Sequence, residues 1–337
     1  MNRQRFNDIT ALYSRIRIAI VGDFCLDRYL EIDPARSETS LETGLAVHNV
    51  VSVRSQPGAA GTILSNLVAL GIGEIFPVGF CGNDGEGFEL RRELQAKAGV
   101  KLDHFLQTGE RRTFTYCKPL VVERGKKPVE LNRLDSKNWT PTPAGVQDQL
   151  IKSVRALAEN ADAIILMDQV DMAETGVVTS KLLDVIAEIA AKRPGLLIIA
   201  DSRRGLKGYP PVTFKMNAAE LSALTGAANK LAIEEIELLA GSVARRHGRS
   251  VFVTLAERGL LGATPTGQVA HVPALPVRGP IDIVGAGDSV TANLTASLAA
   301  GATLRESLEM AAIASSVVIH QLGTTGVATV ADIGAFV

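Results

Sequence analysis

Apolar and polar positions change period repeatedly along this chain. Phe6, Ile9, Leu12 and Ile16 recur three or four residues apart, which predicts a short N-terminal helix. The run RIAIVGD (17–23) follows, continuously apolar and closed by Gly-Asp, and reads as a buried strand. The pattern then predicts a helix over 60–70, a strand over 75–79 and a helix over 84–98. Further on it predicts a strand at 162–167, a helix at 173–192, a strand at 196–201, a helix at 231–247 and a strand at 250–255. Alternating strands and helices of this kind build a mostly parallel sheet covered on both faces. Such sheets bind ligands at the carboxyl ends of their strands, where Asp23, Gly79, Asp168 and Asp201 are expected.

Two stretches, about 28–55 and 110–134, break the alternation and are β-prone, with Gly-Lys-Lys-Pro as a turn in the second. They are expected to form a small β lid on a single domain spanning 1–337, a length that suits one large α/β unit. Apolar residues make up 46% and charged residues 21%, so the chain can bury a core. A net charge of -1 without basic clusters argues against nucleic acid or a membrane surface and favours small molecules. No apolar run approaches the ~20 residues of a membrane span, and the N-terminus does not read as a signal peptide. Cys25, Cys81 and Cys117 lie far apart, as do the five histidines, so neither a disulfide framework nor a zinc site is expected. A reducing, cytoplasmic location is the expectation.

The chemistry concentrates in IDIVGAGDSVTANL (281–294). Gly285 and Gly287 remove side chains where backbone amides would meet a ligand, and helix N-termini favour anions. Phosphoryl transfer needs donors around the transferred group and a residue to orient and deprotonate the attacking hydroxyl. Gly285, Ala286 and Gly287 are candidate donors and Asp288 the candidate base, with the helix dipole expected to keep its carboxylate ionised. The plainer reading of the fragment is an N-cap. In NAAE, one helical turn separates Asn217 and Glu220, an arrangement suited to a hydrated Mg²⁺. Asp201 and Arg203 sit together at a strand end, where Arg203 either reaches a phosphate or pairs with Asp201.

DIVGAGD (282–288) resembles the D-T-x-G-A-G-D signature of the PfkB, or ribokinase-like, carbohydrate kinases, with Ile283 in place of Thr. The resemblance implies a ribokinase-like three-layer α/β sandwich with a central, mostly parallel sheet and a small β lid. It assigns the base to Asp288 and the anion hole to Gly285, Ala286 and Gly287. NAAE is similar to the family's N-x-x-E, which implies that Asn217 and Glu220 organise Mg²⁺ and the ATP phosphates through water. VGDFCLDRY (21–29) and PGAAGTILSNLVALG (57–71) resemble the sugar-binding segments and imply substrate contacts at Asp27, Gly58 and Thr62. Here Ala59 replaces a glycine and Thr62 replaces the usual sugar-binding Asn, while Asn66 follows one turn later. VFVTLAERGLLG (251–262) is similar to the nucleotide cradle, implying contacts at Thr254, Ala256 and Gly259. Asp282 and the loop near 322–326 correspond to a K⁺ site of some members.

Within the family, GDFCLDRY, NRLD (132–135) and LGTTG are most similar to the heptose-7-phosphate kinase module of ADP-heptose synthesis. The implied activity is ATP-dependent phosphorylation of a hydroxyl on a sugar or sugar phosphate, in a homodimer paired through the β lid. Two other classes stay open. One is a regulatory sugar- or nucleotide-binding protein of the same fold, suggested by Ala59 and Thr62. The other is a dinucleotide oxidoreductase, since GAGDSV begins like G-x-G-x-x-G but lacks the third glycine.

Overall fold

The computed structural model describes residues 1–228 and 230–337. Its strands are β1 Arg17–Gly22, β2 Phe24–Ile32, β3 Glu38–Thr39, β4 Ala46–Val47, β5 Val50–Ala59, β6 Glu74–Gly82, β7 Phe105–Thr108, β8 Phe114–Val121, β9 Val129–Glu130, β10 Leu134–Ser136, β11 Ala163–Asp168, β12 Leu197–Ser202, β13 Thr213–Asn217, β14 Val251–Thr254, β15 Leu260–Ala263 and β16 Val269–Val272. The helices are α1 Arg3–Thr10, α2 Ala60–Ala69, α3 Gly85–Gln95, α4 Ala144–Ala158, α5 Ser180–Lys192, α6 Ala218–Thr225, α7 Ile233–His247, α8 Ala286–Ala299, α9 Leu304–Ile319 and α10 Val330–Gly334.

Ile18, Ala19, Ile20 and Val21 are all fully buried, which is why β1 reads as an unbroken apolar run. It lies inside a nine-stranded sheet of order β16-β15-β14-β13-β12-β11-β1-β6-β7. Pairing is parallel from β7 through β14, and β15 and β16 add an antiparallel edge. The pleat sorts side chains to the two faces. Ala19 and Val21 pack with Val154 of α4, Ile186 of α5 and Val243 of α7. Ile18 and Ile20 pack with Leu64 of α2, Ala296 of α8 and Met310 of α9. The result is a three-layer α/β sandwich.

Only Asp23 separates β1 from β2, so the chain leaves the main sheet and directly enters a second one, of order β10-β8-β2-β5 with β9 on β8. Its strands fall in and around the two β-rich stretches, but β2 begins earlier, at Phe24. β5 is an edge strand and leaves Val51 and Val53 exposed.

Three predicted details differ. The helix expected over 173–192 begins only at Ser180, where the Thr179 side chain caps the Leu182 amide. The residues before it are instead held as loop by Asp23, whose carboxylate accepts from the amides of Gln169 and Val177, each at 2.8 Å. Gly79 lies inside β6, not at a strand end. Helix α4 and strand β13 are additional elements; the spacing of Val146, Leu150, Val154 and Leu157 carries the signal for α4. Among the described residues no helix is long and apolar enough to cross a membrane, and the three cysteines are buried and free.

Candidate functional site

The turn into α8 is set by Gly285, the N-cap residue, whose φ of +82° is a left-handed conformation suited to glycine. A Cβ there would come within 3.4 Å of the methyl groups of Thr62 and Thr325. Asp288 is the third residue of the helix, and no side chain caps the helix start. The plain N-cap reading is therefore excluded. Ala286 is corrected as an anion donor: its amide already donates to the Ile283 carbonyl at 3.2 Å, closing the entering turn. The amides of Gly285, Gly287 and Asp288 donate to no backbone acceptor, so the unpaired donors begin at Gly285 and continue past Ala286.

Beneath the turn lies a buried polar network that the sequence reading missed. Lys215 on β13 donates to Asp201 on β12 at 2.7 Å, and the Thr291 hydroxyl of α8 donates to the same carboxylate at 3.0 Å. A Cβ on Gly287 would sit 3.2 Å from the Lys215 ammonium, so this cation lies directly against the turn. Burial disfavours the ammonium, but Asp201 outweighs it and the pKa of Lys215 is raised. Asp201 is thus committed to Lys215, and Arg203 pairs with Asp171 at 3.3 Å instead. The signal in the sequence was a lone charge inside the apolar strand TFKMN.

The expectation for the ionisation of Asp288 also needs correction. Burial, then the charge of Asp201, push its carboxyl up to about 7; Lys215 opposes the shift and Asp27 adds to it. Desolvation and two neighbouring carboxylates exceed what the helix dipole returns.

The opposite wall is the small sheet. Asp27 on β2 stands between Gln56 of β5 and Tyr116 of β8 in register, forming one rung. Two residues farther along, the next position on that face holds Arg54, Tyr29 and Lys118. Contacts place the two rungs on one face: Lys118 reaches Asp27 at 3.2 Å and the Tyr29 hydroxyl at 3.3 Å. Arg54 and Lys118 lie over the Tyr29 ring, and Arg133 lies over that of Tyr116. Gly58 is needed by Asp27, whose Oδ2 would be 2.7 Å from a Cβ at that position. Ala59 takes φ +54° and ψ -118° at the start of α2, a conformation that an L side chain adopts under strain. Thr62 is buried and packs its methyl toward Gly285.

Asn217 and Glu220 form a reciprocal capping box at the start of α6. The Asn217 side chain accepts from the Glu220 amide at 2.9 Å, and Glu220 Oε2 accepts from the Asn217 amide at 2.7 Å. Asn217 pairs in register with Thr254 on the neighbouring β14. Ala256 has φ +51°, and Gly259 has φ +94° in the turn that follows β14. Gly259 admits no side chain, since a Cβ would lie 2.0 Å from the Val272 carbonyl. Asp282 accepts from the Val284 amide at 3.0 Å, while its own amide donates to the Ile319 carbonyl at 2.8 Å.

Residues 18–330 match the family described as pfkB family carbohydrate kinase. This chain belongs to the pfkB family of carbohydrate kinases. It is 30% identical over 329 residues to the Bifunctional protein HldE of Bradyrhizobium sp. (strain ORS 278), covering 96% of this chain and 64% of that protein. To the protein of the same name from Pelobacter propionicus it is 30% identical, covering 95% and 64%. The chain thus spans less than two thirds of the length of these curated relatives.

Solved structures agree on the fold. Phosphofructokinase-2 from Escherichia coli superimposes with a TM-score of 0.71 at 20% identity, covering 95% of this chain and 99% of that one. Arabidopsis thaliana ribokinase, solved with ribose and ATP, gives 0.65 at 18%, covering 94% and 97%. The ribokinase-like fold and the carbohydrate-kinase class expected from DIVGAGD are both borne out. The main-sheet wall holds the unpaired amides and the Asp288 carboxyl, and the small-sheet wall brings Asp27 close enough for its charge to act on that carboxyl.

Proposed function

We propose that this chain is an ATP-dependent kinase whose acceptor is a sugar that already carries a phosphate, in the manner of heptose 7-phosphate. One observation carries the reading: Arg54, Lys118 and Arg133 gather on the Asp27 side of the small sheet, paired there with Glu31, Asp27 and Asp135, carboxylates that an incoming phosphate would replace. A neutral sugar needs hydrogen-bonding groups such as Asp27, whereas three cations beyond it suit an anionic far end.

In this reading Asp27 holds acceptor hydroxyls beside Gly58 and Thr62, and Asp288 faces the reacting one. The acceptor oxygen attacks the γ-phosphorus and its proton passes to Asp288. The phosphorus–oxygen bond to ADP breaks, and ADP carries the bonding pair away. Charge on the transferred phosphoryl is met by the unpaired amides of Gly285, Gly287 and Asp288 and by Lys215. A carboxyl near 7 is well matched to base catalysis at neutral pH. Asn217, Thr254, Ala256 and Gly259 border the nucleotide.

The donor set suits Mg²⁺ held largely through water. Glu220, Asp201 and Asp288 all act on the Lys215 ammonium, yet no group of three His, Cys, Asp or Glu side chains among the described residues is arranged to hold a metal ion directly. When bound with ATP, the ion would neutralise phosphate charge, with Asn217 and Glu220 orienting its waters. Asp282 keeps one carboxylate oxygen for K⁺. The exposed Leu41, Leu45, Val51 and Val53 near the β5 edge make the small sheet the proposed face of a homodimer.

The test is ADP release over a panel of sugars and sugar phosphates that includes heptose 7-phosphate, run in K⁺ and in tetramethylammonium. A preference of about tenfold or more for phosphorylated acceptors is expected. Turnover of free sugars alone would refute the acceptor assignment. Binding of acceptor without any turnover would favour the regulatory reading.

A further inference from the structure

Gln56 bridges the two walls of the cleft. It stands on β5 in register with Asp27, so its amide shares a rung with the residue proposed to hold the acceptor. Its side chain touches the small sheet at the Tyr29 hydroxyl, 3.5 Å from Nε2, and also leaves it. Nε2 donates to the Thr325 hydroxyl, and Oε1 accepts from the Thr324 hydroxyl at 3.2 Å. Both ends of one amide are therefore engaged by consecutive residues of the loop that follows α9. That loop is itself closed by Gln321, which donates to the Val327 carbonyl at 2.7 Å and accepts from the Val327 amide at 3.1 Å. The other end of the bridge lies at the phosphate turn, because the Thr325 methyl borders the Cα of Gly285. Asn66, one turn beyond Thr62, extends toward the same loop at the Gly326 carbonyl, 3.5 Å away.

We infer that Gln56 is a positioning residue that couples the acceptor wall to the phosphate turn through Thr324 and Thr325. This rests on the kinase reading above but goes beyond it: Gln56 contacts neither the proposed base nor the proposed anion donors. The physical argument is geometric. Gly285 is held in a left-handed conformation with two methyl groups against it, so a shift of Thr325 is felt at the unpaired amides. The amide of Gln56 reports the position of the Asp27 rung to Thr325 through two hydrogen bonds, and coupling between sites requires such a shared element. Anion binding at residues 285–288 steadies the turn, the turn steadies Thr325, and Thr325 steadies the acceptor rung.

Hydrogen exchange with AMP-PNP as the probe tests this without knowledge of the acceptor. In the wild-type protein AMP-PNP slows exchange at 285–289 and also at 52–57. In Gln56→Ala and in Thr325→Val, which removes the hydroxyl while keeping the shape, protection is confined to 285–289. Thr325→Ser, which keeps the hydroxyl on Gln56 and the Cβ beside Gly285 but drops the methyl, restores part of the protection at 52–57. With the acceptor that the wild type turns over, kcat per folded enzyme, the folded fraction being counted by AMP-PNP stoichiometry, falls about tenfold in the first two variants while KM stays within about threefold. The inference is overturned if protection reaches 52–57 undiminished in both variants, or fails to reach it in the wild type. Protection of neither segment would remove the nucleotide reading together with this one, whereas turnover without the split removes this inference alone.

Discussion

The two walls of the cleft are built on different terms. The phosphate wall is anchored in the main sheet, where Lys215, Asp201 and Thr291 form a buried network beneath a turn whose glycines have steric reasons to be glycine. The proposed acceptor wall is a smaller sheet with an exposed edge, and its strand β5 ends at Ala59 with a strained φ of +54°. The difference teaches that transferring a phosphoryl group fixes charges and open amides closely, while recognition of the acceptor tolerates substitution and even strain.

The largest effect should come from the phosphate wall. Asp288→Asn is expected to lower kcat about 1,000-fold while AMP-PNP affinity stays within about threefold, measured by coupled ADP release and calorimetry. Unchanged turnover would break the comparison at its strongest point.

Lys215→Met should cost about 100-fold in kcat by removing one stabilising charge. It also leaves Asp201 buried without its partner, so the fold loses about 3 kcal/mol, read by urea denaturation. Its pH profile is the sharper test. Asp288 is protonated below about 7 and charged above, so kcat/KM of the wild type rises with pH and levels off beyond that value. Loss of the neighbouring ammonium disfavours the carboxylate, and the acid limb moves to higher pH. A limb that stays in place would separate Lys215 from Asp288.

On the acceptor wall the effects are smaller and selective. Arg133→Ala should raise KM for a phosphorylated acceptor about tenfold and leave that for an unphosphorylated sugar within about threefold, measured by initial rates. Equal effects on both would remove the proposed role of the three cations. Smallest is Ala59→Gly: relief of the strained φ should stabilise the protein by roughly 1 kcal/mol, a Tm rise of about 2 °C by calorimetry.

Much of the phosphate wall was legible because its requirements are local. Gly285 must turn left-handed, Gly287 must leave room, and Asp288 follows at a fixed spacing, all within four residues. Asn217 and Glu220 stand out in the sequence for the same reason, one helical turn apart, and the structure sets them as a capping box. Lys118 was less visible: in the strand it reads as ordinary alternation with Tyr116, and only pairing across β2 and β8 sets it beside Asp27. The ionisation of Asp288 was misread, because a helix dipole can be seen in sequence and the approach of Asp201 cannot.

By itself the sequence determined what short-range sterics and periodicity dictate: the alternating strands and helices, the glycine turn and the acid that follows it. Tertiary structure alone decided which distant charges share a dielectric. It brought Lys215 under the turn, Asp201 toward Asp288 and Gln56 across to Thr325. The reason is that covalent neighbours restrict each other's dihedral angles directly, whereas electrostatic and hydrogen-bond partners far apart in the chain are set by sheet order and register.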